Sequence, residues 1–219
     1  MKDRNMRLLR NSVPTAREWL EALRDVHRVK GMNRRSLVEF VIFKTDLGWV
    51  GLAAGVNGTG AKICKVVLPR ASKRGVEREL HAFGNLLSEV QRSRLPLVNK
   101  ILREAEDQLV EFLAGRTREI NLPVDLSGGT TFQRRVWKAL DRIPYGRVRS
   151  YKWVAMKVGG SRYARAVGLA CGANPVPLAI PCHRVVAHNG SLGGFGGGLA
   201  LKRRLLTLEG TLRQLGRGR

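Results

Sequence analysis

Acidic side chains are scarce in this chain: 17 Asp and Glu stand against 40 Lys and Arg, leaving a formal net charge of +23. Cysteines are few as well. Cys64, Cys171 and Cys182 make an odd count without paired spacings, which argues against a disulfide framework and for a reducing compartment. No apolar run is long enough to span a bilayer, no amphipathic anchor stands out, and no apolar signal core follows Met1–Asn5. The expectation is a cytoplasmic protein, or a nuclear one in a eukaryote, with no membrane partner. His27, His81 and His188 are too scattered to form a metal site of ordinary spacing with the cysteines, so no metal is expected.

What is present in excess is basic charge. It predicts association with a polyanion through phosphate contacts and counterion release. An anionic membrane surface and a merely solvated basic exterior are the alternatives, and the missing anchor leaves nucleic acid as the simplest partner. The 219 residues, 43% of them hydrophobic, suffice for one or two domains with a substantial core.

Residues 1–15 are basic and poorly patterned. Ala16–Val29 has a helical spacing, with Trp19, Leu20 and Leu23 on one side. Strand formers fill Ser36–Phe43, Trp49–Ala54 and Lys62–Leu68, punctuated by Asp46-Leu47-Gly48 and Asn57-Gly58. Helical patterns follow at about Gly75–Val90 and Val98–Leu113, and the run from Pro69 to Arg74 between strand and helix reads as a solvated loop. Strands followed by helices indicate a small α+β domain over residues 1–118, with 119–129 as a connection and 130–219 as a second domain.

In that second part, Thr130 or Thr131 caps a helix to about Leu140. Ser150–Val158 and Ser161–Cys171, joined by Gly159-Gly160, read as a helix-turn-helix. Arg162 and Arg165 share a face of its second helix, and the small Ala164, Ala166, Gly168 and Ala170 would let that helix approach DNA closely. In Leu199–Leu208, Leu201, Leu205 and Leu208 are the expected core face, with Lys202, Arg203 and Arg204 mostly exposed.

The stretch Ile180-Pro181-Cys182-His183-Arg184-Val185-Val186 carries the candidate chemistry. A thiol becomes a nucleophile on losing its proton, which a neighbouring base and a positive charge promote. His183 and Arg184 could supply these, and Pro181 stiffens the turn. The blander alternative is a small buried cysteine beside a satisfied core histidine.

Around this core stand Arg165-Ala166-Val167-Gly168, Asn174-Pro175-Val176-Pro177, the glycine-rich run Gly193–Gly198 and Glu209-Gly210. This ordered set resembles the O6-alkylguanine-DNA alkyltransferases, which move an alkyl group from a damaged guanine onto their own cysteine. The likeness covers about residues 128 to 210 and is weak before about residue 120. It implies an α+β protein whose C-terminal domain is mostly helical and winged-helix-like, acting as a monomer on double-stranded DNA that contains O6-alkylguanine, and also on O4 of thymine.

The resemblance implies a role for each matching residue. Cys182 is the acceptor, His183 its base through a water, and Glu209 holds the other imidazole nitrogen. Tyr151 neutralises the leaving guanine, and Asn174 ties the bend before the active site. Arg165 inserts into the base stack from a helix in the minor groove, with Ser161, Arg162, Ala164 and Gly168 against the DNA. Backbone groups of Cys182, Val185 and Gly196 read the guanine edge, while Pro177, Gly193, Phe195 and Gly197 line a pocket roomy enough for a benzyl group. The product thioether has no easy hydrolysis route, so the resemblance implies that one transfer ends activity and that no cofactor is needed. A binder of alkylated DNA that transfers nothing, a generic basic DNA-binding protein and a cysteine hydrolase are the rival readings.

Overall fold

The computed structural model describes residues 38–56, 60–83 and 96–215. The helix expected over Ala16–Val29 lies outside them, as do Ser36, Asn57-Gly58 and the second half of the helix expected from Gly75. Strands β1 (Val38–Thr45), β2 (Gly48–Val56) and β3 (Ala61–Arg70) form an antiparallel sheet in the order β1-β2-β3. Helices α1 (Lys73–Phe83) and α2 (Pro96–Leu113) both pack against it. The alternation of β2 shows how. Val50, Leu52 and Ala54 join the core that contains Leu102, Leu109 and Phe112 of α2, while Ala53 joins Val76 and Leu80 of α1. Gly51 permits that second contact, since a Cβ there would stand 2.5 Å from Val76 Cγ1. The expected basic loop from Pro69 to Arg74 is instead divided, with Arg70 closing β3 and Lys73 opening α1, and Arg70 donates to Glu79 at 2.8 Å.

The connecting segment is stitched to the sheet. Ile63 N–H donates to Pro123 O at 2.8 Å, and Asp125 N–H donates to Ile63 O at 2.8 Å. Helix α3 (Thr131–Asp141) follows, closed by a capping box in which Thr130 accepts from Gln133 N–H and the Gln133 side chain accepts from Thr130 N–H. The short strand β4 (Arg149–Ser150) then leads into α4 (Tyr151–Val158), capped by the Ser150 hydroxyl.

Gly159 and Gly160 have φ of 144° and 127°, angles that side chains rarely tolerate, and they end α4 abruptly. A 3₁₀ turn, Ser161–Tyr163, then feeds α5 (Ala164–Gly172). Buried Trp137 of α3 fastens α5 from behind, its indole N–H donating to Ala170 O at 2.8 Å. Strand β5 (Val185–Val186) pairs in parallel with β4, α6 (Leu199–Leu208) follows, and a 3₁₀ turn, Leu212–Gln214, is the last described element. One apolar core runs unbroken from Val50 and Ile63 in the sheet to Val167 in α5 and Leu205 in α6. Among the described residues no helix is long and apolar enough to cross a membrane.

Candidate active site

A bend and a turn lead to Pro181, and Cys182–Arg184 then closes into a single 3₁₀ turn. That turn places Cys182, His183 and Arg184 in the buried interior. The preceding bend is held by Asn174, whose amide N–H donates to Ile180 O at 2.8 Å while its carbonyl accepts from Val176 N–H at 3.1 Å. Leu178 inside the bend has φ of 75°, a costly angle for a side-chain-bearing residue, and those two bonds help to keep it there.

Cys182 is 6% exposed and forms part of the wall of an open cavity of about 510 Å³. Small residues make much of that wall: Ala164, Gly168 and Gly172 of α5, with Gly194 and Gly196 from the loop before α6. Tyr151 and Phe195 add flat rings, and Arg165 completes the lining. Cys171 also lines the cavity, which the sequence reading did not anticipate.

His183 Nε2 lies 2.8 Å from Glu209 Oε1. Glu209 also receives Arg184, with Nε at 3.1 and 3.0 Å from its two oxygens and Nη2 at 3.0 Å from Oε1, while Nη1 donates to Ile143 O at 2.7 Å. Burial opposes the charge on Glu209, but the bonds and charges of His183 and Arg184 outweigh it and hold the carboxyl below its ordinary value. Burial pushes the imidazole down, so His183 is neutral. A carboxylate facing Nε2 fixes the tautomer: Nε2 carries the proton, and Nδ1, buried without a protein partner, is a bare acceptor.

Two expectations are corrected at this point. Arg184 does not supply a field for the thiol; its guanidinium is committed to Glu209 and Ile143. Lys202 does not project into solvent. It is fully buried, with Nζ donating to Val185 O at 2.5 Å, Leu192 O at 2.5 Å and Gly194 O at 3.3 Å. It is the cation that acts on Cys182. Burial pulls Lys202 down to about 8, against the attraction of Cys182 and Cys171. For Cys182 burial dominates and pushes the thiol up, opposed by a hydrogen bond from Asn174 and by the Lys202 charge. The resting sulfur is therefore protonated.

The signal for Lys202 was available in the sequence. At about 100° per residue, Leu205 and Leu206 fall about 40° and 140° from Leu201, and Lys202 lies between them at about 100°. The expected face used Leu208, which is only half-buried, in place of Leu206, which is buried.

The other expected residues are distributed as follows. Phe195 and Gly196 line the cavity; Pro177, Val185, Gly193 and Gly197 are not among its lining residues. Pro177 is buried and bridges to Ile180 within the bend. Val185 turns its carbonyl to Lys202. A Cβ on Gly193 would meet the Tyr151 ring at 2.7 Å, and one on Gly197 would meet Leu201 at 2.6 Å and Leu68 at 3.0 Å. Tyr151 donates to Gly194 O at 3.2 Å, and burial raises its hydroxyl to about 12. Ser161, Arg162 and Arg165 are exposed. Arg162 sits in the 3₁₀ turn, not in the helix with Arg165, and it covers the Tyr163 ring at 4.9 Å.

Comparison with known proteins now bears on this arrangement. Residues 131–211 match the model for the DNA-binding domain of 6-O-methylguanine DNA methyltransferase. The solved O6-methylguanine methyltransferase of Mycobacterium tuberculosis is 36% identical, superposes with a TM-score of 0.60, and is matched over 92% of its length and 78% of this chain. The chain belongs to the methylated-DNA–protein-cysteine methyltransferase family. Members of that family from Mycobacterium tuberculosis and Mycobacterium leprae are 52% and 50% identical over 105 and 111 residues, which is 48% and 51% of this chain. Those matches span 63% and 67% of the relatives' own lengths. A further family structure, Mycobacterium tuberculosis OGT in complex with DNA, is 32% identical over 80% of this chain and 94% of that one, with a TM-score of 0.58. Among the described residues of this member, no three His, Cys, Asp or Glu side chains gather as metal ligands.

Proposed function

We propose that this chain repairs DNA by moving an alkyl group from O6 of guanine to Sγ of Cys182, once per molecule. The observation that carries the reading is Cys182 in the wall of an open cavity, next in chain to a histidine whose Nε2 is bound to Glu209 and whose Nδ1 is buried without a protein partner. His183 Nδ1 takes the thiol proton through a water, and Glu209 stabilises the imidazolium as it forms. Lys202 balances the thiolate. The sulfur lone pair forms the S–C bond as the C–O6 bond breaks, and the electron pair leaves on guanine. The Tyr151 hydroxyl donates to a ring nitrogen of the departing base, and the proton lost from sulfur makes good that donation. Asn174 keeps the bend that presents the sulfur.

The same reading makes α4, the glycine turn and α5 a DNA-binding helix-turn-helix, with Ser161 and Arg162 on the backbone. Ala164 and Gly168 leave room for an extruded nucleotide, and Arg165 fills the gap that it vacates, a step costing a few kcal/mol. O4 of thymine presents the same alkyl–oxygen bond and is included as a substrate, and the monomer is the working unit. Because glycines and flat rings make so much of the wall, the free base O6-benzylguanine should react too.

The test is stoichiometry. Duplex DNA bearing labelled O6-methylguanine should leave one label per protein molecule, and Cys182→Ser should abolish labelling while still binding DNA. Sustained turnover in excess substrate would overturn the proposal. A protein that binds alkylated DNA without ever carrying label would be the non-transferring alternative.

A further inference from the structure

A second cavity, about 440 Å³, lies between α3 and α4. Arg135, Lys138 and Arg142 of α3 line it with Lys157 and Trp153 of α4. Arg149 adds a further cation, its guanidinium 5.3 Å from the Trp153 ring centre, and Lys157 Nζ stands 5.5 Å from the same ring. None of the lining cations has an ion-pair partner among the described residues, and no acidic residue lines the groove. The neighbouring Arg134 differs: it is spent on Gly129 O, Ser127 O and Thr131.

The groove does not share a face with the reaction cavity. Along α4, Trp153 and Lys157 fall about 200° and 240° around the helix from Tyr151, at about 100° per residue. Tyr151 lines the cavity of Cys182, so the basic groove looks the other way. Two cations already lie over the Trp153 ring, which orients charge rather than offering an open face for a base to stack on. A line of unpaired cations on two adjacent helices suits successive phosphates of a nucleic-acid backbone.

We propose that the α3–α4 groove is a second phosphate-binding site, which takes the backbone of another segment of duplex DNA while the first segment occupies α5. The protein would then bridge two duplexes. The proposal rests on the reading of α5 as a DNA-binding helix and not on the transfer step; alkyl transfer at Cys182 could fail with bridging intact, and the reverse.

The experiment measures bridging of two short, differently labelled duplexes by the full-length protein, read as energy transfer between them. Lys138→Glu/Lys157→Glu should reduce bridging at least tenfold. It should also flatten the salt dependence of second-duplex binding by about two in the log–log slope, near one per phosphate contact removed. Reaction with free O6-benzylguanine reports that the variant is folded, and Arg203→Glu/Arg204→Glu, an equal charge change on exposed positions of α6, should bridge normally. Bridging unchanged in the groove variant, or equal loss in both variants, would overturn the proposal. So would weakened binding of a single duplex without any bridging in the wild type, since the groove would then extend the first footprint. Loss of binding to anionic phospholipid vesicles with bridging unaltered would assign the groove to a membrane surface instead.

Discussion

Behind Cys182 the cations are buried and fully partnered, whereas on the surface of α3, α4 and α5 they are exposed and largely unpaired. Arg184 is locked between Glu209 and Ile143 O, and Lys202 among three carbonyls. Arg165, Lys138 and Lys157 are exposed and have no ion pair among the described residues. The physics separates the two sets. A buried charge without partners costs several kcal/mol, so it persists only in one geometry, and that geometry fixes the site. An exposed charge costs little to leave open and stays available to a ligand. Among the described residues, these two sets of cations therefore do different work.

Glu209→Gln should break this contrast most severely. It leaves Arg184 buried beside a neutral amide, and a loss of about 3–5 kcal/mol is expected, read from denaturant unfolding. The same variant tests a pH dependence. His183 is held below its ordinary 6.5, so the unfolded chain binds that proton first and stability falls as pH drops below 6.5. Glu209 is held below its ordinary 4.5, so its contribution is present above 4.5 and is lost as pH falls through it. Wild-type stability should decline in both windows, and Glu209→Gln should lack the second decline. A steep fall below 4.5 that survives the substitution would place the acid sensitivity elsewhere.

Lys202→Met should come next, at about 1–3 kcal/mol, because burial of the apolar stem is kept while carbonyls lose their donor. Its reaction with O6-benzylguanine should slow about tenfold or more, whereas Lys202→Arg, which keeps the charge, should recover part of the rate. Unaltered kinetics in Lys202→Met would reduce this lysine to scaffolding. Arg165→Ala sits at the other end. Stability should change by less than about 0.5 kcal/mol, as for other exposed positions. Transfer from duplex DNA should drop about tenfold or more, with the free-base reaction spared. Equal losses on both substrates would remove the inserted-arginine role.

The sequence was most legible where local chemistry decides. Ser150 and Thr130 cap the helices that they precede, and Gly159-Gly160 breaks the chain where two positive φ angles are needed. The strand pattern held because alternation in β2 matches a sheet covered on two faces. Contacts that close over long separations were less accessible. Nothing local joins Glu209 to His183, Trp137 to Ala170, or Ile63 to Pro123, and the first was expected only through a family resemblance. Lys202 was misjudged because a lysine in a helical pattern is assigned to water by default, and its three carbonyl partners come from residues 8 to 17 positions away. The pocket assignments at Pro177, Gly193 and Gly197 turned on where a backbone faces, which residue type does not encode.

The state of the three thiols has a further consequence. Burial raises Cys64 and Cys171 to about 12, and it raises Cys182 as well. Thiolate is the form that peroxides and small electrophiles attack, and almost none of it exists at neutral pH on any of these sulfurs. On the proposed reading, in which one transfer consumes the protein, burial of the sulfur shields it from chance encounters. Stray oxidants and alkylating agents meet three sulfhydryls that burial holds in the thiol form.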